Sequence, residues 1–354
     1  MRSPPVKIAG LILSHYLSRN SVVKNQYVLQ LFRNNSPFTV IILFIFALVV
    51  KFQVVLHPVV PVPVSGHFVY NFIIRGMYFV FRNGAFAYSM IAIVLLFLQS
   101  LYLKSIASRH KLFPRATYIP AFVYLLVTSI YPPFNTFNET LLINWLLLGA
   151  VDIMFGLTQT SQPRKLIFNA GFLLSMAAMF QFTMLAYFFL LLVGMVMFRS
   201  FNVGEWSVAL MGYATPPYFL ACILFLADRF HLFAQWPHIG FNLSSNVTSI
   251  FYLILTLAGI FILLVSGVYA MQQNVAMSNI YIRRDWIAIS FYLIISVFVA
   301  ILTDQDIKTA WLITMPALSI VISHALLLEK NQRFSNFIFY FSIVFLVFCL
   351  LANK

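Results

Sequence analysis

Acidic side chains are scarce in this chain: eight Asp and Glu stand against 22 Lys and Arg in 354 residues, and charged residues of both signs make up only 8%. Soluble domains carry about 25% charged residues, so water is excluded as the solvent for most of the chain. The only two cysteines, Cys222 and Cys349, each lie inside an apolar run, which excludes a disulfide framework and a thiolate metal site. No histidines stand in HxxxH or HExxH spacing, so a zinc site is not expected. Neither a phosphate-cradling glycine loop nor a nucleophile elbow occurs, and the sequence implies no cofactor.

What is present is apolar: 62% hydrophobic and 17% aromatic residues. The expected fold is an all-α integral membrane protein. A net charge of +14 raises the question of nucleic acid, but the basic residues fall between hydrophobic runs and not in one block or stripe. The membrane accounts for them, and no nucleic-acid partner is expected. The segment KIAGLILSHYL near the N-terminus has a short apolar core broken by His15 and no small-residue cleavage site after it, unlike a cleaved signal peptide. Residues 1–36 are instead read as a cytoplasmic segment, amphipathic over 6–33, with Lys7, Arg19, Lys24 and Arg33 resting on an anionic leaflet. Residues 37–354 form the polytopic helical domain.

At roughly 20 residues per crossing, polar breaks divide that domain into about eleven spans. They are 37–56, 85–103, 117–131, 140–158, 167–180, 184–198, 207–227, 248–270, 286–303, 310–328 and 336–351. Ser36 is expected to cap the first, with Pro37 at its first helical position. Placing the N-terminus inside puts most basic residues in cytoplasmic connections, including Lys104, Arg109, Arg164, Lys165, Arg199, Arg283 and Arg284. Lys51, Arg75, Arg82, Arg229, Lys308 and Lys354 are left outside or at the outer boundary, so the C-terminus is expected outside. The run 167–198, broken only at Gln181-Phe182-Thr183, reads as a hairpin of two short helices, which keeps Arg164, Lys165 and Arg199 on one side. Adjacent Pro216 and Pro217 predict a kink in the seventh span.

The first outer loop, residues 57–84, carries His67, Asn71, Arg75, Tyr78 and Arg82, spaced so that one face of an interfacial helix presents all five. Arginine suits bidentate phosphate binding. These five are the candidate substrate-binding residues, and the bland reading is that the arginines anchor the helix to ordinary lipid phosphates. Among the acids, Asp152 is read as an ion pair with Arg164 and Lys165, Glu139 as a helix-start carboxylate, and Asp228 as an interfacial partner of Arg229 beside His231 and His238. Asp304 and Asp306 are read as solvated, and His324 as hydrogen-bonded to a neighbouring helix. Asn138, Asn242 and Asn246 open N-glycosylation tripeptides on the outer side.

The run RKLIFNAGFLLSMAAMFQFTMLAYFFLLLVGMVMFR at 164–199 resembles a hairpin of the GT-C superfamily, multipass glycosyltransferases that use polyprenyl-phosphate-linked sugars. Ala170-Gly171, Ser175 and Gln181 stand at the matching places. The segment from Pro120 through YPPFNTFNETLLINWLLLGAVDIMFG is similar to that family's third and fourth spans with the outer loop and its acid between them, and the long first outer loop bearing an interfacial helix is a further shared feature. The resemblance implies a lipid-linked phosphate or saccharide substrate and a catalytic acid in the first outer loop. Residues 57–84 contain no acid, which leaves Glu139 or Asp228 as catalytic candidates or a scaffold without transfer chemistry. The chain also resembles multipass inner-membrane proteins of Bacteroidota, rich in Phe, Ile and Asn. The leading expectation is an inner-membrane, GT-C-like protein that binds a lipid-linked phosphate or saccharide at its outer face. The alternative is a non-catalytic subunit or assembly factor of an envelope complex, whose partners are other membrane proteins.

Overall fold

The computed structural model describes residues 27–64, 66–158, 160–237, 250–275, 278–303, 307–328 and 331–352. All regular structure among the described residues is helical, as a chain with so little polar surface requires: in lipid, only helices and closed barrels satisfy every backbone group. The helices are α1 (Tyr27–Arg33), α2 (Phe38–Val50), α3 (Phe52–Leu56), α4 (Phe68–Phe81), α5 (Ala85–Arg109), α6 (Ile119–Thr128), α7 (Glu139–Phe155), α8 (Pro163–Phe180), α9 (Phe188–Phe198), α10 (Val203–Leu226), α11 (Ile250–Val275), α12 (Ile280–Leu302), α13 (Ile307–Ala310), α14 (Met315–Leu327) and α15 (Gln332–Ala352).

Among the described residues six segments are long and apolar enough to cross a membrane: Ala85–Arg109, Glu139–Thr158, Val203–Leu226, Ile254–Gln273, Ile280–Leu302 and Gln332–Ala352. The chain is therefore a helical membrane protein. The other five apolar runs form helices that are shorter or interrupted. The run 37–56 breaks at Lys51, between α2 and α3, and the run 167–198 breaks at Gln181, which is extended before the 3₁₀ turn Phe182–Tyr187 leads into α9.

Helix α6 spans 10 residues, about 15 Å, half the hydrocarbon thickness. All ten are buried, because α5, α14 and α15 pack around it. A helix end at that depth is tolerated where protein covers it. Helix α14 is likewise buried from Met315 to Leu326, and the two form the centre of the bundle. Close crossings depend on missing side chains. A Cβ on Gly212 of α10 would stand 2.5 Å from the Phe168 carbonyl oxygen of α8, and one on Gly267 of α11 would stand 2.6 Å from that of Val321 in α14. Gly171 faces the backbone of Ala209 and Gly212 across the same α8–α10 crossing, so the small residues of the 164–199 hairpin have a packing role.

Several local expectations are corrected. Helix α2 begins at Phe38 and the Ser36 hydroxyl makes no cap bond; the Ser36 carbonyl takes the Thr39 N–H instead, at 3.0 Å. Arg33 does not point at a leaflet. Its Nη2 donates to the Leu326 carbonyl (2.7 Å) and the Ser335 hydroxyl (2.9 Å), tying α1 to the end of α14 and the start of α15. Lys7, Arg19 and Lys24 lie outside the described residues. The prolines expected to kink the seventh span, Pro216 and Pro217, do lie inside one helix, Val203–Leu226.

Candidate functional site

The spacing at 67–82 does build a helix, α4, but its polar stripe divides into two groups with different work. Tyr70 and Ile74, one turn apart, are buried and pack α4 onto the bundle, while Phe72 and Phe79 face outward. Asn71 is engaged: its side-chain amide donates to the Val64 carbonyl (2.6 Å) and its oxygen accepts the Val64 N–H (2.9 Å), which closes the loop ahead of the helix. His67 is buried at the helix start, and its Nδ1 bonds the Glu139 carboxylate. Arg75, Tyr78 and Arg82 are exposed, and no hydrogen bond or ion pair from their side chains occurs among the described residues. Arg82 ends the helix at φ 49°, and its carbonyl takes the Tyr88 hydroxyl at 3.3 Å. The structure thus presents three of the five stripe residues and uses the other two as anchors.

Glu139 opens α7, where its charge favours the helix dipole. Asn138 caps the same turn, accepting the Leu141 N–H at 2.9 Å, and is itself buried, so the tripeptide at 138–140 is no glycosylation acceptor in the folded chain. The tripeptides at Asn242 and Asn246 lie outside the described residues, as do His238, Asp304 and Asp306. Four residues before Glu139, Asn135 accepts from Lys51 Nζ, which also donates to Thr128 Oγ1 at 3.1 Å. Lys51, expected at the outer boundary, is fully buried and meets only neutral acceptors among the described residues. A lysine interrupting the apolar run 38–56 was the available signal, since an ammonium in such a run must be hydrogen-bonded or hydrated.

A second polar cluster sits at the far end of α7. Asp152 takes bonds from Arg109 Nη1 (2.5 Å), His110 Nε2 (2.8 Å) and the Tyr102 hydroxyl (3.1 Å). Its expected partners Arg164 and Lys165 do not reach it, because the end of α5 comes closer than the start of α8. Arg164 instead lies near Glu205, whose carboxylate is held at both oxygens by Arg199, at 2.7 and 3.0 Å. That bidentate contact stabilises the Arg199 guanidinium beyond its ordinary range. Glu139 and Asp152 are thirteen residues apart on one helix, about 20 Å, and belong to separate clusters.

Asp228 joins neither cluster. It is exposed just past α10 at φ 53°, and no ion pair to it, including the expected one with Arg229, is present among the described residues. His324 also departs from expectation: it is sandwiched by Trp286 (ring centroids 4.3 Å) and Phe113 (4.9 Å), and neither of its ring nitrogens has a hydrogen-bond partner among the described residues. Within the described residues no three His, Cys, Asp or Glu gather as a metal site.

The family described as DUF6427, a family of unknown function, matches residues 64–353. The chain belongs to this family. The DUF6427 region begins at the loop closed by Asn71 and takes in α4, Glu139 and the Asp152 cluster, whereas Lys51 precedes it. No curated protein and no solved structure matches the chain.

Proposed function

We propose that the chain is an inner-membrane protein of about eleven spans, N-terminus inside and C-terminus outside, which binds a lipid-linked phosphate or saccharide at its outer face. Arg75 on α4 and Arg82 just past its last residue contact the phosphate, and Tyr78 between them in the chain supplies a hydrogen bond. The observation that carries this reading is that both guanidiniums are exposed on an interfacial-type helix with no carboxylate beside them, while the neighbouring His67 and Asn71 are spent on holding that helix in place. Guanidiniums free of internal partners keep their paired donors for an external oxyanion.

The likeness to GT-C enzymes supports a lipid-phosphate ligand. In that scaffold an acid belongs in the first outer loop, and here Glu139 meets that loop through His67. Both side chains are buried, so no acceptor hydroxyl has open access to the carboxylate, and we assign the pair to positioning α4. The proposed activity is binding, on a scaffold without transfer chemistry.

The test is equilibrium binding of polyprenyl phosphate to the full chain in nanodiscs. Charge-assisted hydrogen bonds contribute about 1.5–3 kcal/mol each, so Arg75→Ala with Arg82→Ala is expected to weaken binding by more than tenfold. Unchanged affinity in the double variant overturns the proposal.

A second reading, a non-catalytic subunit of an envelope complex, is favoured by α10. Its main helical partner is α8, and Leu210, Met211, Phe219, Ile223 and Leu226 are exposed along it. A stoichiometric protein partner recovered in gentle detergent supports that reading.

A further inference from the structure

A separate polar site lies at the opposite end of α5 from α4. Residues 101, 104, 105, 108 and 109 follow the spacing of a single helix face, and in the structure they line an open groove of about 510 Å³. Lys104, Ser105, Ser108 and Arg109 form its polar wall, with Tyr118 beside them, and Leu101 with Val40 of α2 forms the apolar wall. The Lys104 ammonium stands 4.4 Å from the centre of the Tyr118 ring and has no acid partner among the described residues. The Ser108 hydroxyl makes no hydrogen bond among those residues either.

Charge selects the ligand class. Lys104 and Arg109 are both cationic, but Asp152 takes a bond from Arg109 and neutralises one of them. One positive charge is left over, which matches a singly charged phosphodiester better than a free phosphate, which is partly a dianion near neutrality. Position selects the lipid. Helix α5 has 25 residues where roughly 20 cross the hydrocarbon, so its last turns reach headgroup level while Leu101 and Val40 remain beside the acyl chains.

We propose that this groove binds the headgroup of an anionic phosphodiester lipid, its phosphate held by Lys104 and Ser108 with Arg109 at the rim. The site stands independently of the α4 reading.

The experiment uses the full chain in a neutral detergent, titrated with dioctanoyl phosphatidylglycerol, dioctanoyl phosphatidylcholine or inorganic phosphate and read by native mass spectrometry and thermal shift. Phosphatidylglycerol is expected to bind and stabilise, and the other two are not. Lys104→Gln is expected to weaken phosphatidylglycerol by about tenfold, with Lys104→Arg restoring most of the affinity. Val40→Trp, which fills the groove and leaves the cations in place, is expected to abolish binding and gives the same readout should Lys104→Gln fail to fold. Equal affinity for phosphatidylcholine, or undiminished phosphatidylglycerol binding in a folded Lys104→Gln or Val40→Trp variant, overturns the proposal. Inorganic phosphate that matches or displaces phosphatidylglycerol at equal concentration overturns the lipid assignment.

Discussion

His67 and Glu139, 72 residues apart in the chain, meet side chain to side chain where the loop before α4 passes the first turn of α7. The contact joins the two outer loops of the proposed topology and sets where α4 leaves the bundle. Removing one member leaves the other buried without its hydrogen-bond partner, at a cost of about 1–3 kcal/mol. We expect His67→Ala and Glu139→Ala each to lower the unfolding midpoint in detergent and to open residues 57–64 to protease. Because both act on one contact, the double variant should lose clearly less than the two single losses added together.

Lys51 makes the converse case. It is buried with Thr128 and Asn135 as acceptors and no carboxylate among the described residues, so the folded state carries its desolvation uncompensated by an opposite charge. Asn135→Leu removes a main acceptor and should destabilise by about 1.5–3 kcal/mol. Lys51→Met removes the charge itself and should be near neutral or stabilising. Paired thermal melts of the two variants check the order, and a Lys51→Met loss as large as that of Asn135→Leu would contradict it.

Two glycines separate backbone approach from backbone freedom. Gly212→Ala places a methyl group 2.5 Å from the Phe168 carbonyl oxygen, so α8 and α10 must move apart, and we expect a loss of about 1–3 kcal/mol. Gly76, in the exposed part of α4, has nothing within 4 Å of the same position. Gly76→Ala should stabilise by about 0.5–1 kcal/mol through helix propensity. Chemical denaturation of both variants measures the difference.

How far the sequence was legible follows from which interactions are local. The helix at 68–81 could be read because a 3.6-residue period and its polar face are properties of the segment itself, and the break at Gln181 was visible as a polar interruption. The division of that polar face could not be read. His67 was assigned to a ligand, and it is the partner of a carboxylate 72 residues away that folding alone brings near. Asp152 failed for the same reason: sequence proximity favoured Arg164, whereas parallel packing of α5 and α7 delivers Arg109 and His110. Asn138 shows one tripeptide serving two grammars, a glycosylation acceptor and an N-cap, between which only burial decides. Length rules also mislead where protein replaces lipid, as at α6, whose ten residues are covered on every side.

The proposed orientation has its own check. His57 and Ser161 are exposed in connections that the topology puts on opposite sides. With Cys222 and Cys349 replaced by Ala, His57→Cys should react with a membrane-impermeant maleimide in intact cells, and Ser161→Cys only after permeabilisation. The reverse pattern inverts the topology and moves α4 to the inner face.

The central claim is that α4 offers Arg75 and Arg82 to a lipid-linked phosphate, and native mass spectrometry of the gently solubilised full chain tests it most directly. The account predicts a retained polyprenyl-phosphate species on the wild-type protein that disappears from the Arg75→Ala, Arg82→Ala variant. A chain that carries no such lipid and holds a stoichiometric protein partner in both forms would contradict it.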